Sequence, residues 1–223
     1  NRPRVLFCSN AYPPRFIGGA ELIVEKHARM LRRLGYEAAI FAGEGQEAWG
    51  PHHALRRDHY NDVPVWRIQL NHEDFANTGV NFVNRPVEQR FEEVLDDFRP
   101  TVVHCHNLIG LSVQLLHLAK RRGLRTGLTL HDHWMYCPRN TLVTPEGDSC
   151  DPRYPCGCQA ALSGPGECTL PIFLRTGMMR TIAEQVDFFH FPSVYLRDIH
   201  MLWGLPADKC HAIPNGIELD RFA

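Results

Sequence analysis

Short apolar runs alternate with amphipathic stripes along this chain, and the two periods predict most of its elements. Val5, Leu6, Phe7 and Cys8 make an uninterrupted apolar run, as a strand buried on both faces requires. Ile23, Val24, His27, Met30, Leu31 and Leu34 then fall on one helical stripe, with Glu21 and Glu25 early, Arg32 and Arg33 late, and Gly35 as the stop. Pro13, Pro14, Gly18 and Gly19 punctuate the loop between them. The unit recurs. Further strands are predicted at 37–42, 63–70, 101–105, 125–130, 186–191 and 210–213, and further helices at 86–98, 110–122, 171–185 and 194–202. The 43–57 stretch reads as a polar excursion and 71–84 as a loop. This alternation predicts an α/β fold, a doubly wound parallel sheet of about seven strands with right-handed crossovers.

Composition adds limits. At 223 residues and 44% hydrophobic the chain suits one large domain with a full core. A net charge of -1 predicts no nucleic-acid partner. No apolar run approaches the roughly 20 residues of a membrane span, and the first residues lack a signal-peptide core, so a cytoplasmic protein is expected. Thirteen histidines are an unusual number. His104, His106, His131 and His133 fall at strand ends, where open α/β sheets place their ligands.

Two features carry candidate chemistry. Gly18 and Gly19 precede a helix whose first N–H groups and dipole favour an anion, although a tight turn explains the same glycines. Five of eight cysteines, Cys137, Cys150, Cys156, Cys158 and Cys168, cluster in a proline- and glycine-rich segment, 137–170, that interrupts the α/β rhythm as a loop insertion. Four of the five could enclose a structural zinc ion, whose binding would substitute for a missing core. Their irregular spacing leaves free or redox-active thiols, disulfides and an iron–sulfur cluster as alternatives. Cys8, Cys105 and Cys210 sit in predicted strands and read as small buried hydrophobes.

The ordered series PPRFIGGAELIVEKHARMLRRLGYEAAIFA, RPTVVHCHN, LTLHDHW and FPSVYLRDIHMLWGLPADKCHAIPNGIELDRF resembles the N-terminal half of a retaining, family 4 glycosyltransferase of the GT-B fold. The resemblance implies a Rossmann-like, acceptor-side domain over 1–215. Residues 216–223 would begin a linker to a C-terminal nucleotide-sugar-binding domain beyond this sequence, without which the chain is expected to be inactive. It implies transfer of a sugar from a nucleotide diphosphate sugar to a glycan or lipid-linked acceptor, with no metal needed for catalysis. By the same resemblance, Gly18 and Gly19 cover the donor diphosphate, and His131 touches the donor sugar near the reacting carbon. His106 and Asn107 lie on the acceptor side; Tyr12, Arg15 and Arg139 could hold an acceptor hydroxyl or phosphate. His104 is expected to turn away from the face of His106 as a structural residue.

Arginines 29, 32 and 33 and the cluster at residues 120–122 could meet an anionic membrane at its inner face, or simply complement helix C-termini. Two rival readings accompany the transferase: a GT-B sugar synthase or epimerase, and a non-catalytic metal- or partner-binding module centred on the cysteines.

Overall fold

The computed structural model describes residues 2–15, 18–45, 47–76, 81–144, 146–153 and 172–217. Among them, eight strands form one sheet in the order β3-β4-β2-β1-β5-β6-β7-β8. The strands are β1 (Arg4–Ser9), β2 (Glu37–Glu44), β3 (Leu55–Tyr60), β4 (Val63–Gln69), β5 (Val102–Cys105), β6 (Arg125–Thr129), β7 (Phe188–Phe191) and β8 (Cys210–Ala212). All neighbours pair in parallel except the β3–β4 hairpin. Chain order runs outward from β1 through β2 and then resumes beyond it at β5. The crevice at the carboxyl ends of β1 and β5 is therefore the topological switch point, where such sheets bind ligands.

Six α-helices accompany the strands among the described residues: α1 (Gly19–Arg33), α2 (His72–Ala76), α3 (Arg85–Phe98), α4 (Gln114–Arg121), α5 (Ile172–Glu184) and α6 (Val194–Trp203). The alternation of side chains divides the core. Phe7 and Ile40 face α1, packing with Val24 and Ala28, whereas Leu6, Cys8 and Phe41 face the other layer with Phe91, Val94 and Leu115. Local chemistry sets the helix ends, with the Gly35 stop as predicted. The Ser193 hydroxyl accepts from Leu196 N–H at 3.2 Å to cap α6, and Gly35 follows α1 at φ 79°.

The sheet has one strand more than predicted. β3 lies across the end of the expected polar excursion, because its sequence LRRDHY alternates charged and half-buried positions as an exposed edge strand does. α2 occupies part of the expected loop, with Asn71 Oδ1 accepting from Glu73 N–H at 2.9 Å. Cys8, Cys105 and Cys210 are buried free thiols, as expected, and burial foremost raises Cys8, followed by its neighbour Cys105. Cys137 is a buried thiol and Cys150 a partly exposed one. Cys156, Cys158 and Cys168 lie outside the described residues, and so does most of the predicted insertion.

Arg67 of β4, fully buried, fixes the loop after β1. Its guanidinium donates to the carbonyls of Tyr12 and Pro13 at 3.0 and 2.6 Å and to Asp58 Oδ2 at 2.9 Å.

Candidate active site

Five histidines converge between the sheet and α1 near the switch point. His104 and His106 come from the end of β5, His131 from just after β6, His190 from β7 and His27 from α1. Neighbouring ring centroids are 4.8 Å apart for His104 and His106, 5.2 Å for His106 and His131, and 5.9 Å from His27 to both His106 and His190. The expectation that His104 turns away from His106 is therefore wrong. Residues two apart on a strand share a face, and these rings stack. Gly127 of β6 makes room beside them: a Cβ there would lie 2.1 Å from the Phe188 ring, which packs edge-on against His104.

Hydrogen-bond partners assign the tautomers. His190 Nε2 lies 2.8 Å from the Ile213 carbonyl, an acceptor only, so that nitrogen carries the proton. In the neutral ring Nδ1 then accepts from the Thr129 hydroxyl at 3.1 Å, which leaves Thr129 Oγ1 to accept from His104 Nε2–H at 2.7 Å. His106 Nε2 is buried without a partner. Buried N–H groups rarely go unpaired, so the proton belongs on Nδ1, donated to His131 Nε2 at 2.9 Å. His131 therefore offers Nδ1–H as its remaining donor.

Crowding favours the neutral form of His27, His104, His106 and His131. Burial foremost, then neighbouring histidines, lowers His131 to about 4 and His104 to about 3, holds His106 well below the usual imidazole range and lowers His27. The turn carrying His131 is pinned from below. Arg175 of α5, itself buried, donates to the carbonyls of Trp134 and Met135, and Asp132 accepts from Trp134 N–H at 2.7 Å. His131 thus pairs with His106 rather than with Asp132.

Beside the cluster, a cavity of about 350 Å³ opens at the carboxyl ends of β1 and β2, lined by Asn10, Arg15, Glu44, Gly45, His72 and Phe75, among others. Asn10 on its lining donates its N–H to the carbonyl of Asn107, the residue after His106, at 2.7 Å. Arg15 pairs with Glu44 at 3.3 Å and with Glu47 on its rim. Asn107 uses its own Oδ1 to accept from Ile109 N–H at 3.0 Å, and Arg139 is exposed. Tyr12, expected at an acceptor, is 0% exposed, with its ring edge-on to Tyr60. That placement makes it a support of the loop and does not fit direct contact.

Gly18 and Gly19 start α1, and Glu21 Oε2 accepts from Gly18 N–H at 2.8 Å. Neither glycine is needed for backbone strain or packing. Gly18 has extended φ of -159°, a Cβ there would have ordinary contact with Glu21 at 3.9 Å, and one on Gly19 would meet nothing within 4 Å. Gly19 is exposed at the first turn of α1.

Sequence reasoning singled out His106 and His131 and missed His27, Thr129, His190, Asn10, His72 and Phe75. His27 was hidden in the apolar stripe of α1, and His190 in the run FFHF. An excess of histidines at corresponding depths of neighbouring strands was the available signal.

This fold is the N-terminal half of a GT-B architecture. The chain belongs to glycosyltransferase family 4, whose model matches residues 17–221. Among solved structures, it is similar to the catalytic domain of starch synthase IV from Arabidopsis thaliana bound to ADP and acarbose, with 16% identity, a TM-score of 0.57, and coverage of 100% of this chain and 53% of that one. A UDP-forming α,α-trehalose-phosphate synthase from Burkholderia vietnamiensis gives 13% identity, a TM-score of 0.57, and coverage of 100% and 50%. A curated relative, an uncharacterized 42.6 kDa protein in the cps region of Klebsiella pneumoniae, is 20% identical over 88% of this chain and 50% of its own length. The chain thus spans about half the length of the relatives it matches. No helix among the described residues is long and apolar enough to cross a membrane.

Proposed function

We propose that this chain is the acceptor-side half of a retaining glycosyltransferase that moves a sugar from a nucleotide diphosphate sugar to a glycan or lipid-linked acceptor. The observation that carries the reading is the neutral His106–His131 pair at the switch-point crevice of a family 4 chain. The reaction breaks the bond between the anomeric carbon and the diphosphate oxygen, forms one to the acceptor hydroxyl, and releases the nucleotide diphosphate and a proton.

Each residue has a part in this reading. Gly18 and Gly19 let the diphosphate approach the first N–H groups of α1, which need no metal to bind it. His131 Nδ1–H hydrogen-bonds a donor-sugar hydroxyl near the reacting carbon, a neutral donor in a dry site where such bonds strengthen in the transition state. His106 positions that ring. The acceptor enters the 350 Å³ cavity, where Phe75 offers an apolar face and Arg15, His72 and Asn10 offer polar contacts, with Asn107 beside them and Arg139 as a cation for phosphate. The second wall is a nucleotide-sugar-binding domain following this chain, to which residues 216–223 lead. Structural zinc on four of the five clustered cysteines belongs to the same reading. Peripheral membrane contact would rest on Arg32, Arg33 and Arg121, because Lys120 and Arg122 pair with Asp187 and Asp96 and Arg29 pairs with Glu25.

The test is a transfer assay of the full-length protein across nucleotide sugars. Release of the nucleotide diphosphate with sugar appearing on the acceptor supports the reading. Wild-type rates in His131→Ala would remove the catalytic assignment.

A further inference from the structure

Away from the cleft, three ligand-type side chains converge on a point that the transferase chemistry does not use. His52 and His53, adjacent in the turn before β3, stack with ring centroids 3.5 Å apart. Each directs Nε2 at one oxygen of the Asp74 carboxylate in α2, at 2.7 Å to Oδ2 and 3.2 Å to Oδ1. The three ligand atoms lie within 4.8 Å of one another. The Asp74 side chain is only 4% exposed, and neither lysine nor arginine pairs with it among the described residues. We infer that His52, His53 and Asp74 form a binding site for a divalent cation of the zinc type, which clamps α2 to the turn preceding β3.

Several observations support the assignment. Two imidazoles and a carboxylate are a donor set for borderline divalent ions. Ligands about 2.0–2.1 Å from a tetrahedral zinc are about 3.3 Å apart, close to the 2.7 and 3.2 Å that separate the two rings from the carboxylate oxygens. The supporting contacts are also in place. Asp74 Oδ2 accepts from Asn71 N–H at 2.9 Å and Oδ1 from Asn84 Nδ2 at 3.2 Å, which fixes both carboxylate oxygens toward the rings. The turn is held as well: His53 sits at φ 62°, in the left-handed region, and its carbonyl accepts from Arg90 Nε at 3.2 Å. Space is available in a cavity of about 250 Å³ bordered by the three ligands, Glu73, Asn84 and Arg85. Arg85 pairs with Glu88 at 3.3 Å, which moderates its repulsion of a cation.

The site has a mechanical consequence. α2 carries Asp74 to the metal and, on either side of it in sequence, His72 and Phe75 to the 350 Å³ cavity. Phe75 is seated against Gly45 and Gly110, where added Cβ atoms would lie 2.6 and 3.0 Å from its ring. An ion on Asp74 would therefore stiffen one wall of that cavity. Calling the wall part of an acceptor site rests on the proposed function; metal binding itself does not.

The test uses protein stripped with chelator and titrated with Co²⁺, followed by absorption and by thermal melting. The expected result is an equivalent bound through nitrogen and oxygen, with visible d–d bands and a raised Tm that are both lost in His52→Ala, whereas any thiolate charge-transfer absorption comes from the cysteines and persists in that variant. That signature separates this site from any cysteine site. Asp74→Asn and His53→Asn, the latter keeping a residue tolerant of the left-handed backbone, should each weaken this binding by more than about 100-fold. His52→Ala, at an exposed position, provides the same loss without threatening the fold. Absence of a nitrogen- and oxygen-ligated cobalt equivalent, or equal affinity in wild type and His52→Ala, overturns the proposal whether or not sugar transfer is found.

Discussion

His106 Nδ1 and His131 Nε2 are 2.9 Å apart, and the unpartnered, buried Nε2 of His106 fixes the direction of the bond between them. The residue after β6 is thus oriented by the residue after β5. Removal of the two rings should have different consequences. His131→Ala should lower kcat of the full-length enzyme by about 10²- to 10³-fold, the scale of one preorganised donor lost from a transition state. His106→Phe keeps the stacked ring but deletes its donor, and should lower kcat about tenfold. Its Tm should not fall, because the variant also removes an unpaired buried nitrogen. Parallel kcat and Tm measurements check both; a large drop in the Tm of His106→Phe would make its role structural.

The depressed histidines give the fold a defined acid response. Between the unfolded imidazole value near 6.5 and the folded values of about 4 for His131 and about 3 for His104, the unfolded chain binds protons that the native chain does not. Stability therefore rises with pH across that window and is lost as pH falls from about 6.5 toward about 4. Nothing is lost to these groups on going from pH 7 to 8, where both states are neutral. Melting curves at intervals from pH 4 to 8 should show a slope that flattens above about 6.5. A Tm independent of pH across the acid half would contradict the neutral cluster.

What could be read in advance followed from period and burial. β1 and β2 are buried over nearly their whole length, so their apolar runs announced parallel strands. β3 was missed because an antiparallel edge strand needs only its partner β4, and LRRDHY carries no apolar run. α2 has five residues and offers no helical period to detect. At the site, His106 and His131 were legible from their places after strands, whereas His27 and His190 became visible only once α1 was laid on the sheet and its His27 ring reached His106 and His190. Tyr12 was misjudged because a loop aromatic beside a cleft can equally be turned into the core, and Arg67, which draws the Tyr12 carbonyl inward, lies 55 residues away.

Gly19 separates ligand binding from folding. With no atom within 4 Å of an added Cβ, Gly19→Ala should leave Tm unchanged or slightly raised, since alanine loses less backbone entropy on entering a helix. If a diphosphate approaches this turn, the added methyl meets it, and KM for the nucleotide sugar should rise at least about tenfold, equivalent to about 1.4 kcal/mol. Acceptor KM should hardly move. An unchanged donor KM would return Gly18 and Gly19 to the role of a simple turn.

Thr129 is the link on which two histidines depend. Its hydroxyl donates to His190 Nδ1 and accepts from His104 Nε2–H, and its side chain is buried between them. Thr129→Val conserves shape while removing both bonds, leaving one buried N–H and one buried ring nitrogen unpaired. Each such group costs about 1–3 kcal/mol, so a loss of about 2–6 kcal/mol is expected. Urea unfolding should register it as a lower midpoint with an unchanged m-value. Because His190 Nε2 remains tied to the Ile213 carbonyl, His190 should keep its place while His104 loses its anchor. In NMR spectra, the His104 ring signals should then move more than those of His190; the reverse order would mean that the relay does not run through Thr129 as assigned.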